Sequence, residues 1–260
     1  MNLQAAGGPH PTLHVATYNI HKGFSQFNRQ LSIHGVRDKL HQLGADLVFL
    51  QEVQGQHLHH ARRHLDWPSA PQHEFLAEGM WPQCAYGGNA IYDHGHHGNA
   101  ILSRHAILSQ ANQDVSDHRF EHRGLIHCTI RMGRQQRPVQ CICVHVGLTG
   151  GSWRRQMAAL VQRLEQLAPP DEALIIAGDF NDWRQQADDC LTGPLGVQEV
   201  FTTLHGQPAR SFPSRLPMLP LDRIYVRGFE VLGGRVHHGA PWHQLSDHAP
   251  LTAQLRLRDA

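Results

Sequence analysis

Short apolar runs of strand length alternate with polar breaks along this chain, and most of the runs end on Asn, Asp, Glu or His. Leu13 to Ile20 is β-rich and closes on Thr17-Tyr18-Asn19-Ile20, which puts Asn19 near the end of a first strand. Leu31, Val36, Leu40 and Leu43 then form a helical stripe from Gln30 to Leu43, with Gly44 in the position of a C-terminal cap. Asp46 to Val53 is a buried strand with Glu52 near its end, Val53 to Leu65 a His-rich helix, and Pro68 to Pro82 a loop with several aromatics. Gly98 to Arg104 is a further strand, with Asn99 ahead of its apolar part. Residues 110 to 122 are polar and predict a surface loop leading to Arg123, at the entrance of a strand from Leu125 to Arg131. A break from Met132 to Pro138 precedes the strand Val139 to Val146, near whose end His145 stands.

The clearest helix runs from Ser152 to Leu167, where Trp153, Met157, Leu160, Val161, Leu164 and Leu167 recur at three- and four-residue steps. Pro169-Pro170 stops it, and the stretch Leu174 to Trp183 follows. There a run of small and branched apolar residues ends at Gly178 and delivers Asp179, Asn181 and Asp182 within four positions. The same composition suits an Asx-rich turn with no chemistry. Gln185 to Leu191 predicts a short helix, and the Pro- and Gly-rich segment 193 to 220 a long functional loop. Leu221 to Val226 starts a strand with Asp222 at its mouth, and Asp247-His248 lie just before the last β-rich run, to Leu257.

No repeat or linker divides the chain, so it reads as a loose tail, residues 1–11, and one domain, 12–258. Hairpin-like spacing of 125–131 with 139–146 argues against a purely parallel sheet and for two largely antiparallel sheets packed together under helices. Charge is balanced, 23 Lys+Arg against 22 Asp+Glu, so bulk electrostatics draw the protein to neither nucleic acid nor an acidic membrane. The 23 histidines read mostly as exposed surface residues and not as a zinc site. Five cysteines form no Cys-x-x-Cys pair, and Cys141 and Cys143 alternate within an apolar run as small buried hydrophobes. With no leader-like N-terminus and no run near the roughly 20 apolar residues of a membrane span, a cytoplasmic protein without a transmembrane segment or an evident obligate partner is expected.

Two residues stay open on chemistry alone. A carboxylate beside an apolar run is costly unless paired or bound to a cation, yet Glu52 is equally readable as a side chain that has reached solvent. Arg123 offers bidentate phosphate binding or an ordinary surface charge.

The ordered set Thr17-Tyr18-Asn19, Gln51-Glu52, Asn99-Ala-Ile-Leu-Ser, Val144-His145, Gly178-Asp-Phe-Asn181, Leu221-Asp222-Arg-Ile and Ser246-Asp247-His248 closely resembles the endonuclease/exonuclease/phosphatase superfamily. The resemblance runs from Thr17 to Leu251. It implies a four-layered αββα sandwich with the active site at one end of the sheets, and a Mg²⁺-dependent phosphodiester hydrolase in which Mn²⁺ is a chemically suitable substitute. By position, Glu52, Asn19 and Asp247 correspond to metal-site residues. Asp179 corresponds to the residue that orients or deprotonates the attacking water, and Asn181 to the one that holds that water or a phosphoryl oxygen. His145 and His248 resemble the pair at the scissile phosphate, and Asp222 the carboxylate that orients His248. Asn99 and Arg123 line the pocket or contact phosphate.

The segment Met218-Leu-Pro-Leu-Asp-Arg-Ile-Tyr lacks the Trp-Arg-Asp-Tyr-like pattern of abasic-site nucleases. A nuclease of deoxyribonuclease type acting on DNA is the first expectation. The same chemistry on a phospholipid head group or small phosphoester is the second, and a silent binding module the third. Trp183 beside the site stacks on a base, lines an apolar pocket or simply packs.

Overall fold

The computed structural model describes residues 11–92, 95–114, 116 and 123–259. Its elements, in chain order, begin with β1 (Thr12–Asn19), α1 (Ile33–Leu43), β2 (Leu47–His57), α2 (Leu58–Arg63), α3 (Gln72–Ala77) and β3 (Gln83–Tyr92). β4 (Gly95–Ser103), β5 (Ile107–Asp114), β6 (Gly124–Met132), β7 (Arg137–His145), α4 (Gly150–Leu167) and β8 (Ala173–Asp179) follow. The chain closes with α5 (Ala187–Leu195), β9 (Gln198–Glu199), α6 (Val200–His205), β10 (Asp222–Arg227), β11 (Phe229–Val236), α7 (Trp242–Leu245) and β12 (Leu251–Leu257).

Two mixed six-stranded sheets result, in the orders β11-β12-β1-β2-β4-β3 and β5-β6-β7-β8-β10-β9. Each is antiparallel except for one central parallel pair, β1 with β2 and β7 with β8. Alternation along the strands explains the layering. Leu13, Val15, Leu47 and Phe49 of one sheet meet Cys141, Cys143, Ile175 and Ile224 of the other in a dry core between the sheets. The opposite side chains of β1 and β2, such as Ala16, Tyr18, Val48 and Leu50, pack under Val36 and Leu40 of α1. On the far side, Ile142 and Ile176 pack under Trp153, Met157, Leu160 and Leu164 of α4. The order is helix, sheet, sheet, helix, as the sequence predicts.

Gly44 takes the left-handed conformation (φ 63°) and donates its N–H to the Leu40 carbonyl, so it ends α1 as a glycine cap does. Gly178 is required for a different reason. A Cβ there would lie 2.0 Å from the Val144 carbonyl oxygen, so only glycine lets β8 approach β7 this closely just before Asp179.

Several boundaries differ from expectation. The strand predicted to end at Val53 continues through bulges to His57, which leaves only Leu58–Arg63 of the predicted helix. The predicted loop 68–82 contains α3, and the predicted loop 193–220 contains the end of α5, β9 and α6. All of 110–114 belongs not to a loop but to the end of β5, an edge strand exposed on both faces, which is why it is polar without period-two alternation. The rest of that expected loop, 115 and 117–122, lies outside the described residues, as does nearly all of the expected tail. Most described histidines are partly or fully buried, not exposed, because their rings pack on other rings, as His60 does on Trp67. No helix among the described residues is long and apolar enough to cross a membrane.

Candidate active site

The two parallel pairs end on the same side of the sandwich, and the polar residues anticipated from the sequence gather there. In register, Asn19 sits opposite Gln51 at the end of β1 and β2, and His145 opposite Asp179 at the end of β7 and β8. Asp222, at the start of antiparallel β10, pairs with Asp179 from the other side. The last contributor is the turn between α7 and β12, where the Ser246 hydroxyl donates to the Asn19 carbonyl at 2.7 Å and so fixes Asp247 and His248 against β1.

Asp179 is the centre of the arrangement. It is 1% exposed, and its Oδ2 accepts from Asn19 Nδ2 at 3.0 Å while Oδ1 accepts from the Asn181 N–H at 2.9 Å. The same Oδ2 lies 3.6 Å from His145 Nε2 and 3.7 Å from His248 Nε2. These spacings are too long for hydrogen bonds and short enough for one reacting group to touch all three. Asn181 adopts a left-handed conformation (φ 47°) and donates its side-chain N–H to the Val146 carbonyl at 2.8 Å, which fixes its amide plane. A non-glycine residue held there is local strain of the kind concentrated at functional sites.

The two histidines are pushed in opposite directions. Burial opposes protonation of His248, but Asp222, hydrogen-bonded to its Nδ1 at 2.8 Å, and then Asp179 outweigh it and raise the imidazole well above its ordinary range. His145 is held well below its ordinary value, first by burial and then by the Arg123 guanidinium. Burial also raises Asp179, against the pull of His248. The site therefore carries an imidazolium, a neutral imidazole and a carboxylate of raised basicity around one small space. Such divergence is the mark of an acid–base division of labour.

Glu52 stands on the other flank of Asn19, again in a left-handed conformation (φ 56°). Its Oε2 is buried without a hydrogen-bond partner, 3.7 Å from Lys22 Nζ and 3.9 Å from His21 Nδ1. Burial disfavours its charge, yet the positive charge around it, that of Lys22 and His248 included, pulls its pKa down to about 2. Asp247 Oδ1 approaches the same His21 nitrogen at 3.3 Å. Asn19 Oδ1 accepts the His21 backbone N–H at 3.1 Å. Hard oxygen donors with an unsatisfied, fully ionised carboxylate fit a divalent cation of the Mg²⁺ type. A second group with ligand atoms within 4.8 Å of one another is Asp179, Asp222 and His248.

Asn99 and Arg123 both lie near the entrance of β6. Asn99 Nδ2 donates to the Gly124 carbonyl at 2.8 Å, and the Arg123 backbone is tied to Ser116 Oγ at 2.8 Å. All ten residues singled out from the sequence thus lie at one end of the sandwich.

Sequence reasoning missed His21 and Lys22, which fold beside Glu52 on a single 3-10 turn, His21–Gly23, directly after Asn19. It also missed Phe212, whose ring centroid lies 5.0 Å from that of His248, and the buried pair Asp182–Arg223 at 3.2 Å. Position offered one signal, since His21 and Lys22 follow Asn19 within three residues and Arg223 follows Asp222.

A family model described as the Endonuclease/Exonuclease/phosphatase family matches residues 16–248. The uncharacterized protein YbhP of Escherichia coli strain K12 is 44% identical over 243 residues, spanning 94% of this chain and 96% of its own. Among solved structures, the endonuclease/exonuclease/phosphatase from Beutenbergia cavernae DSM 12333 matches with a TM-score of 0.74 at 18% identity, over 96% of this chain and 72% of that one. The catalytic domain of human Nocturnin with bound sulfate anion gives 0.71 at 17%, over 95% of each chain. D. rerio TDP2 complexed with single strand DNA product gives 0.66 at 17%, over 94% and 99%. At these identities the structural likeness is one of fold.

Proposed function

The chain belongs to the endonuclease/exonuclease/phosphatase family and is a phosphoester hydrolase of that class, and from this premise we propose that it hydrolyses phosphodiester bonds in DNA with the help of Mg²⁺. The family is generally dependent on a divalent metal. Glu52, with Asn19 and Asp247, would hold the ion. When bound, it supplies positive charge to a phosphoryl oxygen, which an anionic diester needs before water can attack it.

The observation that carries the reading is the placing of Asp179 Oδ2 between two imidazoles, at 3.6 Å and 3.7 Å. Asp179 accepts the proton of the attacking water, a task suited to a buried carboxylate of raised basicity. As the water oxygen bonds to phosphorus, the P–O bond to the leaving oxygen breaks and that alkoxide takes a proton from solvent. His248, held as imidazolium by Asp222, donates to a phosphoryl oxygen as negative charge grows there. His145 presents a neutral ring to the same phosphate, and Asn181 steadies the water or an adjacent oxygen through its fixed amide. Arg123 and Asn99 contact the phosphate from the side of β6.

DNA is favoured as substrate by the likeness to D. rerio TDP2, a structure complexed with single strand DNA product. The balanced net charge of +1 favours a second reading, the same chemistry on a phospholipid head group or small phosphoester. The test is metal-dependent hydrolysis of single- and double-stranded DNA, RNA, phospholipids and a chromogenic diester across a salt series. A DNA substrate binds with counterion release, so its affinity falls steeply with salt, whereas that of a small ester hardly changes. Turnover confined to lipid or small esters would replace the first reading by the second.

A further inference from the structure

An open cleft of about 470 Å³ adjoins the candidate site, running outward from Asn181 between the start of α4 and the turn that follows β8. Leu148, Trp153 and Trp183 line it, with the exposed Arg154 and Arg184 at its sides. Trp183 is 46% exposed and Leu148 55%, although Asp182, next in the chain to Trp183, is buried. Trp183 and Leu148 together form an exposed apolar patch inside a concave surface beside the candidate site, the kind of patch that marks a ligand groove.

The backbone that carries the indole is held in place. Asp182 is gripped by Arg223 at 3.2 Å and accepts from the N–H groups of Gln186 and Ala187 at 2.8 and 3.0 Å. The Trp183 N–H donates to the Asn181 carbonyl at 3.0 Å, so the ring is set on the same short turn as a catalytic side chain. Phe212 meets Trp183 edge-on at 6.3 Å and His248 at 5.0 Å, so a line of rings leads from the scissile-phosphate position to the cleft.

We propose that this cleft is a nucleobase slot, in which the base of the nucleotide next to the scissile phosphate stacks on Trp183 while Arg154 and Arg184 attend the flanking phosphates. The inference rests on the nuclease reading and narrows it to a substrate with aromatic bases free to leave their stack. A flat aromatic face with guanidinium groups beside it matches a base joined to phosphate. A lipid chain can cover the ring face but leaves the guanidinium groups and the polar wall formed by Asn181 and Asp182 without a partner.

The test is a calorimetric titration of the whole protein with thymidine 5′-monophosphate in wild type, Trp183→Ala and Trp183→Phe, each checked for folding by circular dichroism, with tryptophan fluorescence followed in wild type alone. Stacking on one base contributes about 1–3 kcal/mol, so Trp183→Ala weakens binding at least about fivefold and Trp183→Phe recovers most of it. In parallel, KM is compared for an oligothymidylate and for an oligomer of equal length whose sugars carry no bases. Wild type favours the base-bearing oligomer, and Trp183→Ala collapses the ratio. Equal nucleotide affinity in all three proteins, or quenching by phosphatidylcholine vesicles and by no nucleotide, would overturn the slot. If neither oligomer is cleaved, the nuclease reading falls, and the nucleotide titration still decides the slot by itself.

Discussion

His248 Nδ1 and Asp222 Oδ2 lie 2.8 Å apart, both side chains nearly inaccessible to solvent, joining the mouth of β10 to the turn before β12. The contact orients the imidazole and favours its protonated form, because Asp222 is the largest of the three carboxylate influences, ahead of Asp179 and Asp247, that outweigh burial. Asp222→Asn removes the charge and retains the shape. It is expected to lower kcat by about 10²- to 10⁴-fold, the range of a positioned acid or base. The sign of the pH effect follows. With the His248 pKa lowered, the protonated form is lost at lower pH, and the alkaline limb of the rate profile shifts toward acid. An unshifted alkaline limb in a folded variant would separate Asp222 from His248 titration.

Asp182 and Arg223 are neighbours in sequence of Asn181 and Asp222, and their buried contact ties together the two turns that carry these proposed catalytic residues. Arg223→Met strands the Asp182 carboxylate in the interior, and breaking such a pair costs about 3–5 kcal/mol. Denaturant unfolding of the variant should show a loss of that size. A smaller loss for Arg223→Met/Asp182→Asn, which retains a capping group for α5, would identify the stranded charge as the main cause; equal losses would point to packing instead.

Glu52→Gln keeps the size and one oxygen of the side chain but removes the charge that the positive charge around it holds ionised. The expected outcome is a higher Mg²⁺ concentration for half-maximal activity, with the maximal rate partly recovered at saturation. An unchanged metal titration would remove Glu52 from the metal site.

Folding stability should fall with acid through histidines away from the site. His60, by burial and by His57 and His64, and His237, by burial and by Arg235, are each lowered to about 4 from an ordinary 6.5. The unfolded chain therefore binds protons first as pH falls, so their contribution is complete above about 6.5 and lost progressively toward 4. Thermal midpoints measured at pH 7.5 and pH 5 should differ less in a His60→Phe/His237→Phe variant than in wild type. An equal difference would assign the acid sensitivity to other groups.

Strands buried on both faces were legible because they had to be continuous apolar runs, and the site was legible where such a run ends on a polar residue. Leu174–Asp179 is the clearest case, and Asp46–Glu52 the next. Legibility failed where burial does not impose a pattern. β5 is an exposed edge, with Ser109, Gln110, Ala111 and Asn112 all open to solvent, so nothing in its composition separates it from a loop. α6 is six residues long and held by a Glu199 cap and by Phe201 in the core, contacts made across the fold rather than along the chain. His21 was hidden differently. In a chain with 23 histidines, residue type carries no information, and only its place on the turn after Asn19 brings it between Glu52 and Asp247.

Activation of the nucleophile by Asp179, at this end of the sandwich, is the step on which the proposed function depends. Its most direct test is the metal-dependent hydrolysis of single-stranded DNA and of a chromogenic phosphodiester by wild type and by Asp179→Ala, with circular dichroism and Mg²⁺ titration on both. The expected variant is folded, still responds to Mg²⁺ and has lost at least about 10²-fold in kcat on any substrate the wild type cleaves. A folded Asp179→Ala protein with near-normal kcat would contradict that role of Asp179.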